Sequence, residues 1–336
     1  MRGMGDALTA MRQAAIDDAP LAVFYSFKQS EASESGVTSA GWASFLQAVV
    51  DSGLAIDGTW PLRTELTGNL KKALNSLASS IVLVCRKRSS DAPIATRADL
   101  LRALKREMPD AIDAIRRAGV GPVDMQQSVI GPGMGIFTRY ARVLEDDDSS
   151  MTVRTALALI NRVWEEIENE LETAFDPGTQ VARAWFETYG FEAKSSGELI
   201  TLANAKNIAS GSLYGTVFED LRGRARLIPR DALEANWVPE RDGSSSVWEC
   251  VQHTARTLSA EDGGAIAAAR LVGRMGPQAN AARALAYRLF EIASQKGWAA
   301  EALVYNTLAK EWPRLEDIAV PVPPAPRQAE LFQAAT

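Results

Sequence analysis

Five consecutive apolar residues, Ile81 to Cys85 in "SSIVLVCRKR", constrain the fold of this chain more than any other stretch. An unbroken apolar run of strand length marks a strand covered on both faces, where a half-exposed strand would alternate. Such a strand needs neighbours on either side, and the residues before it supply them. "LAVFYSF" (21–27) reads as a strand, preceded by a helix with Met4, Leu8, Met11 and Ile16 at helical spacing. Pro20 closes that helix by disfavouring helical geometry at the residue before it. After a Ser/Glu/Gly loop, Thr38 or Ser39 is placed to cap a second helix, with Trp42, Phe45, Leu46, Val49 and Val50 on one stripe. Gly53 stands where a left-handed residue ends a helix. "AIDGTWPLRTE" is then a less apolar strand. The expected order is helix, strand, helix, strand, loop, strand, with the Ile81–Cys85 strand inserted between the other two rather than left at an edge.

From about residue 96 the pattern turns helical. "TRADLLRALKREMPDAIDAIRRAG" reads as two short helices split by Pro109. Val153, Leu157, Ile160, Trp164, Ile167 and Leu171 define the clearest amphipathic helix, behind a Thr152 cap and stopped by "DPG" at 176–178. Residues 180–230 read as three helices and a hairpin, with Gly223 at the hairpin turn. Four further helices follow, with Gly297 and Pro313 as stop signals, and a Pro-rich tail at 319–336 is expected to be disordered.

The net charge of −6 gives no overall nucleic-acid signature, so any basic site must be local. His253 is the only histidine, which removes designs needing two imidazoles. It lies in an amphipathic stretch and reads as a helix-surface or partly buried residue. Two distant cysteines and no secretory leader point to a reducing cytoplasm; no apolar run approaches a membrane span, so no membrane association is expected.

The order of the first 90 residues is that of the carboxyl-terminal half of a methyltransferase-type Rossmann sheet, in which a last antiparallel strand is inserted beside the edge strand. "VFYSFKQSE", "GVTSAGWASFLQAVVDSGLAIDGTWPLRTE" and "LASSIVLVCRKR" resemble the carboxyl-terminal part of a family of large bacterial adenine-specific DNA methylases, often found near phage-defence genes. The likeness continues through "IGPGMGIFTRYARVLE", "MTVRTALALIN", "LANAKN" and "AYRLFEIASQKGWAAEALVYNTL", and so covers nearly the whole chain. The resemblance implies methyl transfer from S-adenosylmethionine to the exocyclic amine of a flipped adenine. It also implies an Asp/Asn-Pro-Pro-Tyr/Phe turn and a Gly-rich cofactor turn, and this sequence has neither. The adjacent Pro323 and Pro324 lack the flanking acid or amide and the aromatic. No catalytic residue is therefore assigned, cofactor contacts are unknown, and no cofactor is expected for this chain alone.

"GPGMG" (131–135) mimics a phosphate loop but lacks a buried strand before it, and reads as an interhelical turn. "EDDD" (145–148) reads as a solvated loop, since four consecutive acids cannot face one ion, and no metal site is expected. Lys28 and Gln29 end the first strand, where carboxyl ends of an open α/β sheet line a ligand crevice; Trp60 and Arg63 are further crevice candidates, Trp60 serving either packing or base stacking. Arg86, Lys87 and Arg88 at the third strand's end, and Arg222, Arg224, Arg226 and Arg230 on the hairpin, are candidates for DNA phosphates.

The expectation is an α/β plus α chain. Residues 1–92 form three strands of a partial Rossmann-like sheet, 93–178 a helical region, 179–240 a winged-helix-like unit and 241–318 a helical bundle. The expected role is the carboxyl-terminal portion of an S-adenosylmethionine-dependent adenine-specific DNA methyltransferase of a restriction-modification or phage-defence system. It would complete the sheet and contact DNA beside its missing amino-terminal half or a partner polypeptide. The alternative is a non-enzymatic DNA-binding or assembly subunit.

Overall fold

A computed structural model describes residues 2–26, 40–63, 79–173, 175–239, 245–260 and 264–319. The chain divides into two compact units, Met1–Leu171 and Glu172–Thr336.

In the first unit, α1 (Arg2–Ala14) leads to β1 (Leu21–Ser26), α2 (Ala40–Asp51), β2 (Leu54–Arg63) and β3 (Ser79–Lys87). The sheet order is β1-β3-β2, with β3 antiparallel to both neighbours, so β1 and β2 run parallel and α2 connects them. The uninterrupted apolar strand thus occupies the central position its composition led us to expect. Side chains alternate between faces. On one face Leu83 and Cys85 are fully buried, and the Tyr25 ring lies 4.8 Å from both Trp42 (tilted) and Phe45 (stacked) of α2. On the other face, Phe24, Val82 and Trp60 stand in one row across the three strands. There Val82 is buried, while Phe24 and Trp60 are 66% and 59% exposed. Gly53 adopts φ 79° behind α2, the left-handed conformation expected of it.

The remainder of the first unit is β4 (Ile94–Thr96), α3 (Arg97–Arg117), α4 (Pro122–Thr138), β5 (Arg142–Leu144) and α5 (Val153–Thr173). β4 and β5 form a parallel pair too short to be seen in the sequence. Two sequence expectations fail here. Pro109 does not split a helix: α3 runs through it, opened by a Thr96–Asp99 capping box and held by the buried side chains of Leu100, Leu104, Met108 and Ile112. The "GPGMG" stretch is not a turn but the interior of α4. Its lack of side chains lets the helix lie directly on the outer edge of β2. A Cβ at Gly131 would stand 2.6 Å from the Thr59 backbone nitrogen, and one at Gly133 would stand 2.6 Å from Ile160. Pro132 has no N–H to give the carbonyl four residues back, that of Ser128; the Thr59 hydroxyl donates to it instead, at 3.2 Å. Near the other end of α4, the Thr138 hydroxyl accepts the Ile56 N–H at 2.9 Å. The β2 edge is therefore closed by a helix, whereas β1 pairs only with β3 among the described residues.

The second unit begins with α6 (Pro177–Tyr189), capped by Asp176, then β6 (Lys194–Ser195), α7 (Ser196–Ala205), a single 3-10 turn at Ser210–Leu213, β7 (Phe218–Asp220) and β8 (Arg224–Leu227). The third helix expected in this stretch is only that 3-10 turn. The strands form a sheet in the order β6-β8-β7. The expected hairpin is present: Arg222 and Gly223 both have positive φ (55° and 87°), as a two-residue type I′ turn requires. Four helices complete the unit, α8 (Val247–Leu258), α9 (Gly264–Met275), α10 (Gln278–Gln295) and α11 (Ala299–Ile318). Pro313 lies inside α11 rather than ending it, because the buried Leu308, Ala309, Trp312 and Leu315 anchor the helix on both sides of the lost hydrogen bond. No helix among the described residues is long and apolar enough to cross a membrane.

Candidate functional site

The candidate cations fall into two groups, at the end of β3 and on the β7–β8 hairpin. Arg86 is on the strand face that carries Val82, and its Nε binds Asp57 at 2.7 Å with both partners nearly half exposed. Lys87 reaches Asp17 at 3.0 Å. Arg88 turns inward: its guanidinium donates to the carbonyls of Val50 (2.9 Å) and Tyr140 (3.3 Å), and so closes the carboxyl end of α2. Burial, then the nearby Arg12 guanidinium, lowers the Arg88 pKa from its ordinary value, and Asp51 opposes both.

On the hairpin, Arg222 and Arg224 are exposed at the turn, with Arg224 donating to the Ala193 carbonyl. Arg226 is paired with Glu219 across the two strands. Arg230, just beyond β8, is a half-buried structural group. It pairs with Glu301 at 2.6 Å and donates to Tyr305 Oη and Gln252 Oε1, each at 3.2 Å, with its guanidinium over the Phe191 and Tyr305 rings. Burial alone would lower its pKa, but Tyr305 and Glu301 together raise it.

Of the crevice candidates, Trp60 is exposed on the open sheet face. Lys28 and Gln29 lie outside the described residues, as does the Pro-rich tail beyond residue 319, and only the backbone of Arg63 is described. His253 is 5% exposed and stacks on Trp237, with ring centroids 4.2 Å apart and 9° between planes. In the "EDDD" loop, Glu145 pairs with Arg97 and Asp147 accepts from Ser149. No group of three or more His, Cys, Asp or Glu side chains is placed to hold a metal ion among the described residues.

Residues 176–331 match the family model of a domain of unknown function (DUF8807). The match begins four residues after the second unit does and covers nearly all of it. No curated protein and no solved structure matches the chain.

Both cysteines are free thiols and both are buried. Burial, reinforced by Asp57, pushes Cys85 up to about 12, and burial with Glu249 and Asp176 pushes Cys250 up to about 12. Since the thiolate is the nucleophile, the native protein at pH 8 should release almost no chromophore from an aromatic disulfide reagent within minutes. Two equivalents should react once the chain is unfolded in guanidinium chloride.

Proposed function

We propose that this chain is the carboxyl-terminal portion of an adenine-specific DNA methyltransferase, completing its sheet and contacting DNA, and that it transfers no methyl group alone. The observation that carries this reading is the β1-β3-β2 order. Two parallel strands joined through a helix, with a later antiparallel strand between them, match the expected end of a methyltransferase sheet. The side of β1 that has no partner among the described residues is where the neighbouring strand would join. The complete enzyme would use S-adenosylmethionine; the groups that would hold it and the adenine amine belong to the other half of the sheet.

The purified chain, mixed with S-adenosylmethionine and adenine-containing duplex DNA, is expected to show neither tight cofactor binding nor adenine methylation. Adding a polypeptide that carries the Gly-rich turn and the Asp/Asn-Pro-Pro-Tyr/Phe turn should produce both. Methylation by the chain alone, or failure of the two polypeptides to associate, would overturn the reading.

A second reading, a non-enzymatic DNA-binding or assembly subunit, draws support from the second unit. Its succession of α6, β6, α7, β7 and β8, with β8 between β6 and β7, resembles a winged helix, and the Arg222–Arg224 turn takes the place of the wing. This reading expects salt-dependent DNA binding without any catalytic partner.

A further inference from the structure

Most arginines of the first unit are neutralised. Arg86, Arg97, Arg102, Arg106, Arg116, Arg117, Arg139 and Arg162 each have a carboxylate partner. Arg12, Arg88, Arg142 and Arg154 have no ion-pair partner among the described residues, and these four are gathered in one place. Arg88 and Arg142 line a hollow of about 290 Å³ with Tyr140, Ser150, Gln47 and Asp51. Arg154 lines a second hollow of about 580 Å³ with Thr9, Ser44, Ser52 and Thr152, and the two hollows adjoin because both also include Gln47 and Asp51. Arg12 binds the Gly53 carbonyl at 3.2 Å and is close enough to Arg88 to act on its charge.

Asp51 is the one carboxylate that lines either hollow, and it lines both. The acids at 146–148 line neither hollow. The local structure adds to the positive field. α5 begins at this spot with no acid in its first turn, behind the Thr152 cap, and its first N–H donates to Gln47 Oε1 at 2.9 Å. The Thr9 and Ser52 hydroxyls donate to the Gly5 and Val49 carbonyls, and those of Ser44 and Ser150 stand beside the cations, a mixture that contacts phosphate oxygens.

We infer that this double hollow, bounded by α1, α2, β5 and the start of α5, is a binding site for backbone phosphates of DNA. The inference rests on the DNA-contacting reading above and adds a surface that includes neither the hairpin nor the sheet crevice. Arg88 is anchored to two carbonyls and sets the floor; the exposed Arg142 and Arg154 make the movable contacts.

The test is DNA binding by the full chain, followed by fluorescence anisotropy on a labelled duplex across a series of salt concentrations. Each phosphate contact contributes about 0.9 to the slope of log affinity against log salt. The Arg142→Ala/Arg154→Ala variant should therefore lower that slope by about 1.8 and weaken binding for every duplex sequence alike. Asp51→Asn, which keeps a side-chain acceptor for Gln47, should tighten binding by roughly two- to five-fold at low salt. Circular dichroism melts keep folding defects apart from binding defects. If the wild-type chain binds and both variants match it, the site is refuted while the DNA reading stands. If the wild-type chain does not bind duplex DNA at all, the reading falls and the site with it. If inorganic phosphate at millimolar concentration competes as well as a duplex of equal phosphate content, the hollow is a small-anion site and the DNA assignment is overturned.

Discussion

Replacing Glu168 with Gln, or Arg116 with Met, is expected to lower the stability of the first unit by about 3–5 kcal/mol, because either change removes one charge of a buried ion pair. The Arg116 and Glu168 side chains are only 6% and 11% exposed, and they join α3 to α5 through a direct ion pair. Glu168 also accepts the Trp164 indole N–H at 3.2 Å, a bond the Gln carbonyl oxygen can keep, so the loss reports on the charge. For a unit of this size, each kcal/mol corresponds to about 2–4 °C in melting temperature, so a shift near 10 °C should be visible in the first unit's calorimetric transition. Removing both charges together, as Arg116→Met with Glu168→Leu, should cost far less than the sum of the two single changes, since the pair's attraction mainly offsets its own desolvation. A simple sum of the single costs would show that the two residues do not act as a pair.

The second large effect concerns α4. Gly131→Ala should destabilise the first unit by about 2–3 kcal/mol, despite the roughly 1 kcal/mol that alanine gains over glycine in a helix interior. The new methyl group would meet the Thr59 side chain and stand 2.6 Å from its backbone nitrogen, and a backbone atom of a paired strand cannot rotate away. Gly5→Ala in α1 is the matched control. Nothing lies within 4 Å of a Cβ there, so the same exchange should stabilise by about 0.5–1 kcal/mol. Chemical denaturation of both variants decides the matter; equal behaviour would mean that α4 does not rest on β2 as described.

These residues also show what could be read in advance. The central position of Ile81–Cys85, the left-handed Gly53, the Thr152 cap and the Arg222–Gly223 turn were legible because each is fixed by local chemistry: an unbroken apolar run, a positive φ, a hydroxyl at a helix start. The "GPGMG" helix and the prolines at 109 and 313 were misread for the opposite reason. Local propensity argues against helix there, and burial against distant elements overrode it, as the buried Leu104 and Met108 before Pro109 and Ile112 after it illustrate. The fates of the cations were not legible at all. Arg88 and Arg230 look in sequence like their exposed neighbours, but one is tied to carbonyls of α2 and the α4 end, and the other to Glu301 and Tyr305, which lie more than 70 positions away. Arg142 and Arg154 had no motif to mark them, because what distinguishes them is that neither forms an ion pair among the described residues while both line hollows that include Asp51.

The two flanks of the first sheet have opposite characters, and this gives assembly a direction. The α4 side acts as a chain stopper: with a glycine-paved helix seated on β2, no further strand can be added there. The β1 side remains a growing end among the described residues, and the exposed Phe24 on that strand makes addition favourable by removing apolar surface from water. Among the described residues the sheet can lengthen on one side only, so whatever strand joins it takes a fixed place beside β1 relative to the rest of the unit.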